Sequence, residues 1–348
     1  MPELRSAAPS LACVINNFNY AHYLGQALQS AISQTVPFRQ IIVVDDGSTD
    51  GSRNVIATFG PHIKVIQTAN RGQTAACLTA LAAVETEYVL FLDADDYLMD
   101  STVAEVGQAL QGHRQPVKLQ YQLVTIDDEG RQWGFFPAYP EPYTAKDMRK
   151  ENEELGFYRS PPTSGNVFRT DALRRFDSAR LNPRGAIDGT LNLLMPYVGD
   201  IVSLNKALGF KREHRRSMSA WSAPSVELLQ KEIRVFKETW AEACALMGWP
   251  QRDFDNKPPV YVLERSLMLS ALAGGPMLRP TIKYVGALLA QRPARRESMA
   301  LCTWALSLAV LPLASWREWA VKARRSPVNR GATFDRLTRF LLRKASRA

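Results

Sequence analysis

The sequence predicts an α/β fold with a mostly parallel central sheet, followed by a helical C-terminal region. Three observations carry this. Over the first hundred residues, short apolar runs alternate with stretches of helical periodicity, as in a βαβ series. The runs are apolar without alternation, as in Ile41-Ile42-Val43-Val44, which is the pattern of strands covered on both faces by crossover helices. Two of them end abruptly in acid, and parallel sheets bind ligands beyond the carboxyl ends of their strands.

Taken in order, the runs at 11–15, 41–44, 63–66 and 88–92 read as strands, and the segments 21–33, 52–59 and 73–84 as the helices between them. Asp50 or Ser52 can cap the second helix, because a short side-chain oxygen there meets an unpaired backbone N–H. Beyond residue 125 the regularity fades into a stretch rich in proline and aromatics at 135–143. A strand at 164–168, a helix at 189–197 and a strand at 207–211 then read as the substrate half of the same domain. From residue 225 the pattern is helical. Val226, Leu229, Ile233, Phe236, Trp240, Ala243 and Met247 recur at alternating spacings of three and four, one apolar stripe stopped at Gly248-Trp249-Pro250.

The 348 residues exceed one mean domain, and the expected division is 1–220 for a catalytic domain, 221–292 for a helical extension and 293–348 for a basic, amphipathic to apolar C-terminal segment. With 46% apolar and 22% charged residues, the chain is neither disordered nor a polytopic membrane protein. Four scattered cysteines without a CxxC pair give neither a disulfide framework nor a zinc site, and no signal peptide is readable, so a cytoplasmic location is expected. The net charge of +9 is uneven. Residues 276–348 hold fifteen Lys/Arg against three Asp/Glu, a net of +12 that leaves −3 for the rest. The basic end points to an anionic surface as its partner.

The acidic strand ends are the chemical core of the sequence. Val43-Val44-Asp45-Asp46-Gly47-Ser48-Thr49-Asp50 places two carboxylates where a strand gives way to a turn. A calcium loop is rejected, because the twelfth position would be Ala57 and a strand precedes the motif. Val89-Leu90-Phe91-Leu92 runs into Asp93-Ala94-Asp95-Asp96, and three carboxylates in four residues repel one another unless they are solvated or share a cation. In an extended segment Asp93 and Asp95 share one side, which suits Mg²⁺ or Mn²⁺ held together with substrate phosphates.

Three motifs in register resemble one family. Cys13-Val14-Ile15-Asn16-Asn17-Phe18-Asn19, Val44-Asp45-Asp46-Gly47-Ser48-Thr49-Asp50 and Phe91-Leu92-Asp93-Ala94-Asp95-Asp96 are similar, in order and spacing, to the inverting family 2 glycosyltransferases of the nucleotide-diphospho-sugar transferase (GT-A) fold. The resemblance covers roughly residues 10–220. It implies that Asn16 and Phe18 line the base pocket, that Asp46 binds the base, that Asp93 faces ribose or sugar, and that Asp95 holds the metal. One departure is Cys77-Leu78, where many members carry Arg-Asn or Leu-Asn. Arg71 is a candidate for the diphosphate in compensation.

Inversion needs a base opposite the departing nucleotide, and Asp188 in Ala186-Ile187-Asp188-Gly189 resembles the family's acidic residue at a helix start. A bare helix cap is its structural alternative. The segment Gly209-Phe210-Lys211-Arg212-Glu213-His214-Arg215-Arg216 resembles the family's Tyr-Arg-x-His segment, with His214 offered to the metal and Arg212, Arg215 and Arg216 to phosphate. The nineteen uncharged residues at 298–316 read as a helix on a membrane surface, a span, or a buried helix of a C-terminal bundle. The resulting expectation is a metal-dependent, inverting hexosyltransferase-type enzyme that uses a nucleotide-diphospho-sugar donor and a glycan or lipid-linked acceptor in surface polysaccharide or glycolipid synthesis. It would lie peripherally on the cytoplasmic face of the membrane, bind no nucleic acid, and leave a homodimer open. The competing reading is a non-catalytic nucleotide-sugar or nucleic-acid binder that retains the fold.

Overall fold

The computed structural model describes residues 9–113, 115–214, 224–291, 296–311 and 314–325. The elements run β1 (Leu11–Asn17), α1 (Ala21–Ile32), β2 (Gln40–Asp45), α2 (Ser52–Ala57), β3 (Lys64–Gln67), α3 (Gln73–Leu81), β4 (Tyr88–Asp93), β5 (Tyr97–Leu98) and α4 (Thr102–Gln111). They continue with β6 (Lys118–Ile126), β7 (Gln132–Phe136), α5 (Ala145–Leu155), β8 (Asn166–Arg169), α6 (Thr170–Leu173), α7 (Ile187–Val198), β9 (Ile201–Arg212), α8 (Val226–Met247), α9 (Val260–Leu272), α10 (Leu278–Gln291), α11 (Arg296–Val310) and α12 (Ala314–Arg325).

The sheet order is β3-β2-β1-β4-β8-β6-β9-β5, with β7 paired to β6. Pairing is parallel through β3, β2, β1 and β4 and again between β6 and β9, whereas β8, β5 and β7 run antiparallel to their neighbours. The first four strands stand where their apolar runs predict. Their register aligns Asn17 with Asp45 and Asn16 with Asp93, so both acidic strand ends reach one edge. On α1, Leu24, Ala27, Leu28 and Ala31 form one buried face, and each leucine so covered contributes about 1.5–3 kcal/mol.

Strand β6 was not foreseen, for a physical reason. Lys118, Gln120 and Gln122 alternate with Leu119, Tyr121 and Leu123, yet all six are buried, so the polar face meets other polar groups rather than water. Strand β9 begins at Ile201, six residues ahead of expectation, and its register against β6 shifts around Gln122.

The chain divides into two compact units, one of Met1–Arg149, Tyr158–Arg212 and Trp240–Pro250, the other of Lys150–Phe157, Glu213–Thr239 and Gln251–Ala348. None of the seven stripe positions on α8 is exposed. The second unit has its own core, in which Leu229 joins Leu267 of α9, Tyr284 of α10, Trp304 of α11 and Val321 of α12. Glu264 is buried there between Arg265 (2.6 Å) and Arg324 (2.8 Å). Burial works against ionising Glu264, but the two arginines outweigh it and hold the carboxyl below its ordinary range. Helix α11 buries Trp304, Ala305 and Leu308 along one side, as a bundle helix does. Among the described residues no helix is long and apolar enough to cross a membrane.

Candidate active site

The loops that follow β1 and β2 are knitted by short polar side chains. Asn17 Nδ2 donates to Asp45 Oδ1 (3.2 Å) and Ser48 Oγ (3.0 Å). Asn19 adopts φ 58°, a left-handed conformation that asparagine tolerates, and its Oδ1 accepts the Thr49 N–H at 2.7 Å. Asp45 is fully buried and also meets Arg53 at 3.4 Å, so it serves the fold. Asp46 gathers the next loop: its carboxylate accepts the Thr68 hydroxyl (2.8 Å) and the backbone N–H groups of Arg71 (3.0 Å) and Gly72 (2.7 Å).

Gly72 is required here. Its φ is +101°, and a Cβ would stand 2.6 Å from the Pro183 carbonyl oxygen. That close approach lets α3 hold the segment before α7, with the Ala75 N–H on Pro183 O (3.1 Å) and the Thr74 hydroxyl on Gly185 O (2.8 Å). Phe18 is 41% exposed at the end of β1, and the exposed Arg71 reaches Thr79 Oγ1 at 3.4 Å.

At the end of β4, Asp93 Oδ1 accepts from Asn16 Nδ2 (3.2 Å) and Gln73 Nε2 (2.6 Å). The Ser164 hydroxyl links two acids, accepting the Asp93 N–H (3.2 Å) and donating to Asp96 Oδ2 (2.6 Å), while Asp96 Oδ1 accepts the Arg212 N–H at 2.8 Å. Carboxylate oxygens of Asp93, Asp95 and Asp96 all lie within 4.8 Å of one another. Burial, then the charges of Asp95 and Asp188, push the Asp93 carboxyl up to about 7. Burial, then Asp95 and Asp93, push Asp96 well above the usual carboxylate range. An all-oxygen set whose members resist joint ionisation fits a hard divalent cation, which would relieve the repulsion. On the Gln73 amide that donates to Asp93, Oε1 is buried with no hydrogen-bond partner among the described residues.

Asp188 lies in the first turn of α7, whose N-cap is Ala186 with no side-chain capping bond, so the cap reading does not describe it. Burial raises its carboxyl above the ordinary value, against a hydrogen bond from Thr163 and the charges of Lys118 and Lys211. Its own charge acts on Asp93 and on the Cys77 thiol. Cys77, which departs from the family pattern, is buried and donates to Asn16 Oδ1 at 3.8 Å, turning the Asn16 amide toward Asp93. Burial, then Asp93 and Asp188, push its thiol up, so it is not poised as a nucleophile.

Three guanidinium nitrogens of Arg212 are committed to Asp95 O (3.2 Å), Asp127 O (3.2 Å) and Gln26 Oε1 (2.7 Å). It braces the acidic turn and lies over the Tyr23 and Tyr97 rings. His214 is buried and belongs to the second unit. Arg215 and Arg216 lie outside the described residues. The structure thus gathers Asn16, Asp93, Asp95 and Arg212 around one turn, sets Asp46, Arg71 and Phe18 on the adjoining loops, and brings Asp188 within electrostatic reach. Sequence reasoning missed Gln73 and Lys118, and it marked the segment 160–166 as shaping the acceptor site without giving Thr163 or Ser164 a role. Of the two missed residues only Lys118 left a signal, as a cation inside the buried run Val117-Lys118-Leu119.

The model of Glycosyl transferase family 2 matches residues 12–175. An uncharacterized glycosyltransferase of Nostoc sp. is 33% identical over 224 residues, which cover 62% of this chain and 69% of that protein. Glycosyltransferase GlyA of Streptococcus pneumoniae is 25% identical over 76% of this chain, which spans 38% of the pneumococcal protein. Among solved structures, S. aureus TarS 1-349 in complex with UDP-GlcNAc shares the fold over 91% of both chains, at TM-score 0.52 and 17% identity.

Proposed function

Because the chain belongs to glycosyl transferase family 2, we propose that it is a metal-dependent, inverting glycosyltransferase that moves a sugar from a nucleoside-diphosphate donor to an acceptor hydroxyl. The observation that carries this is the acid cluster of Asp93, Asp95 and Asp96 at the strand edge that also bears Asn16, Phe18 and Asp46, with Asp188 close enough to act on Asp93.

In this reading the Phe18 ring stacks on the base, and Asp46 acts through the 68–72 loop that it holds together. Asp93, oriented by Asn16 and Gln73, receives hydroxyls of ribose or sugar. Asp95 leads the metal ligands. A bound Mn²⁺ or Mg²⁺ would neutralise charge on the departing diphosphate. Asp188 takes the proton of the acceptor hydroxyl as that oxygen bonds to the anomeric carbon, and the bond from that carbon to the diphosphate breaks on the opposite face. The nucleotide leaves as an anion and needs no protonating acid. Arg71 is the phosphate candidate, whereas Arg212 keeps the acidic turn in place.

The test is thermal stabilisation of the full chain by UDP, GDP and dTDP, each with and without Mn²⁺. One nucleotide is expected to raise Tm only when the cation is present, by the amount that mass action gives, about 2.7 kcal/mol at a hundred times Kd. Stabilisation by none, with or without cation, counts against the reading.

The acceptor is proposed to be a glycan or a lipid-linked sugar met at an anionic membrane. What supports this is that Leu278, Ile282, Met299, Val310, Trp316 and Trp319, on three helices of the second unit, are exposed, together with the net +12 of residues 276–348. Apolar insertion and basic attraction together give stable attachment where one alone is marginal. Helix α11 shares the core of its unit, so surface substitutions test this better than truncation does. The full chain is expected to float with phosphatidylglycerol-containing vesicles at low salt, and the double variant Trp316→Ser/Trp319→Ser to float less. Equal recovery in the soluble fraction for both proteins would rule the attachment out.

A further inference from the structure

Lys118, the first residue of β6, is completely buried and forms no ion pair among the described residues. Its ammonium instead faces four neutral oxygens: Asn192 Oδ1 at 2.6 Å, Tyr158 Oη at 2.8 Å, Ser160 Oγ at 2.9 Å and Gln120 Oε1 at 3.0 Å. Burial holds its pKa well below the ordinary lysine value, with Asp188 opposing that shift. A completely buried amine is costly for a fold unless its hydrogen bonds are met, and four oxygens meet them here, which calls for a reason beyond filling space.

The partners supply one. Asn192 stands on α7, four residues after Asp188 and therefore one turn along the same helix face. Ser160 and Tyr158 open the segment 158–166, whose later residues reach both halves of the site. Thr163 bonds Asp188, and the adjoining Ser164 bonds Asp96 and the Asp93 backbone. Asn166 stiffens this segment by donating to the carbonyls of Pro161 (3.1 Å) and Pro162 (2.8 Å), and Tyr121 of β6 donates to Ser164 O at 2.6 Å.

We propose that Lys118 is a positioning residue for the transfer reaction: its ammonium ties α7, through Asn192, to the segment 158–166, and so fixes Asp188 relative to Asp93 and Asp96. It touches neither donor nor acceptor. A lysine nitrogen suits the task because one atom at the end of a long stem bonds oxygens from separate segments at once. The catalytic part of this proposal rests on the base role assigned to Asp188.

Two variants test it, Lys118→Met, which keeps an unbranched stem and removes every donor, and the milder Asn192→Ala, which removes the α7 end of the tie. Hydrogen exchange on the full-length proteins reads the tie without any substrate. Amides of 158–166 and 187–192 are expected to exchange about tenfold faster or more, the size that follows when a buried hydrogen-bonding partner is left unmet, while 11–17 and 40–45 keep their protection. Unchanged exchange in those two segments, or a uniform rise across the sheet, overturns the proposal.

Turnover reads the consequence. Hydrolysis of UDP-, GDP- and dTDP-sugars with Mn²⁺ is followed for wild type, both variants and Asp188→Asn. The expected result is a fall in kcat of about tenfold or more with the donor KM held within about twofold, as for a misplaced catalytic group. A purely structural lysine would lower Tm and leave kcat of the folded protein unchanged, which overturns the proposal while Asp188→Asn remains impaired. Wild-type turnover by Asp188→Asn would instead refute the base assignment and, with it, the catalytic purpose of the tie, leaving the exchange result to stand as structural.

Discussion

Asp188→Asn is expected to lower transfer to the acceptor by about 10²- to 10⁴-fold, the usual cost of losing a general base, while Mn²⁺-dependent nucleotide affinity is retained. Asparagine preserves the shape and an oxygen that can accept the Thr163 hydrogen bond, and because burial raises the Asp188 carboxyl in the folded chain its ionised form costs the fold near neutral pH, so Tm of the variant should hold or rise slightly there. The base must be ionised to work. Burial raises the Asp188 carboxyl, so the acid limb of kcat/KM should lie above the ordinary carboxylate range, with activity lost as pH falls through it. The pH profile of transfer with the donor saturating checks this, and near-wild-type transfer by the variant would show that Asp188 is not the base.

Asp95→Asn is expected to abolish metal-dependent nucleotide binding, because it removes both a ligand and a charge from a hard-cation site. The same change should stabilise the metal-free protein. The Asp93 carboxyl, at about 7 when folded against about 3.9 unfolded, costs the fold nothing at low pH, costs progressively more as pH rises through that window, and costs most above it. Asp95 is the largest charge contribution to that shift after burial, so its removal relaxes the penalty near neutral pH. Urea unfolding from pH 4 to 8, with and without Mn²⁺, should show the wild type losing stability with rising pH unless the cation is present, and Asp95→Asn indifferent to Mn²⁺. Calorimetry that finds unchanged Mn²⁺-dependent nucleotide affinity in the variant would remove Asp95 from the ligand set.

How much of this was legible depended on whether a residue's partners were near in sequence. Strands β1, β2 and β4 were readable because burial on both faces leaves an uninterrupted apolar run, and the acids at their ends were readable because parallel pairing brings those ends together. The α8 stripe was readable from helical period alone. Strand β6 was not, since Gln120 and Gln122 find their partners at Ser203 and Asn205 of β9, more than eighty residues away. The two residues of β5 are too few to carry a period, and they exist through antiparallel pairing with Gly209 and Phe210. In the site, the acids stood out as clusters, whereas their supports did not. Ser164 looks like an ordinary residue in a proline-flanked turn until the fold sets it between Asp93 and Asp96, and Arg212 looks like a phosphate ligand until its nitrogens are seen on Asp95, Asp127 and Gln26. The candidate residues were therefore chosen from sequence, and the contacts that position them were visible only in space.

The most direct measurement is release of nucleoside diphosphate from a panel of UDP-, GDP- and dTDP-sugars incubated with the full chain and Mn²⁺, followed by phosphorus NMR, with the anomeric configuration of the freed or transferred sugar read by proton NMR. One donor is expected to be cleaved with inversion, with the reaction abolished by chelation and by Asp95→Asn. Cleavage that persists after chelation and in Asp95→Asn, or retention of configuration at the anomeric carbon, would contradict the assignment of the acid cluster to a metal-dependent inverting transfer.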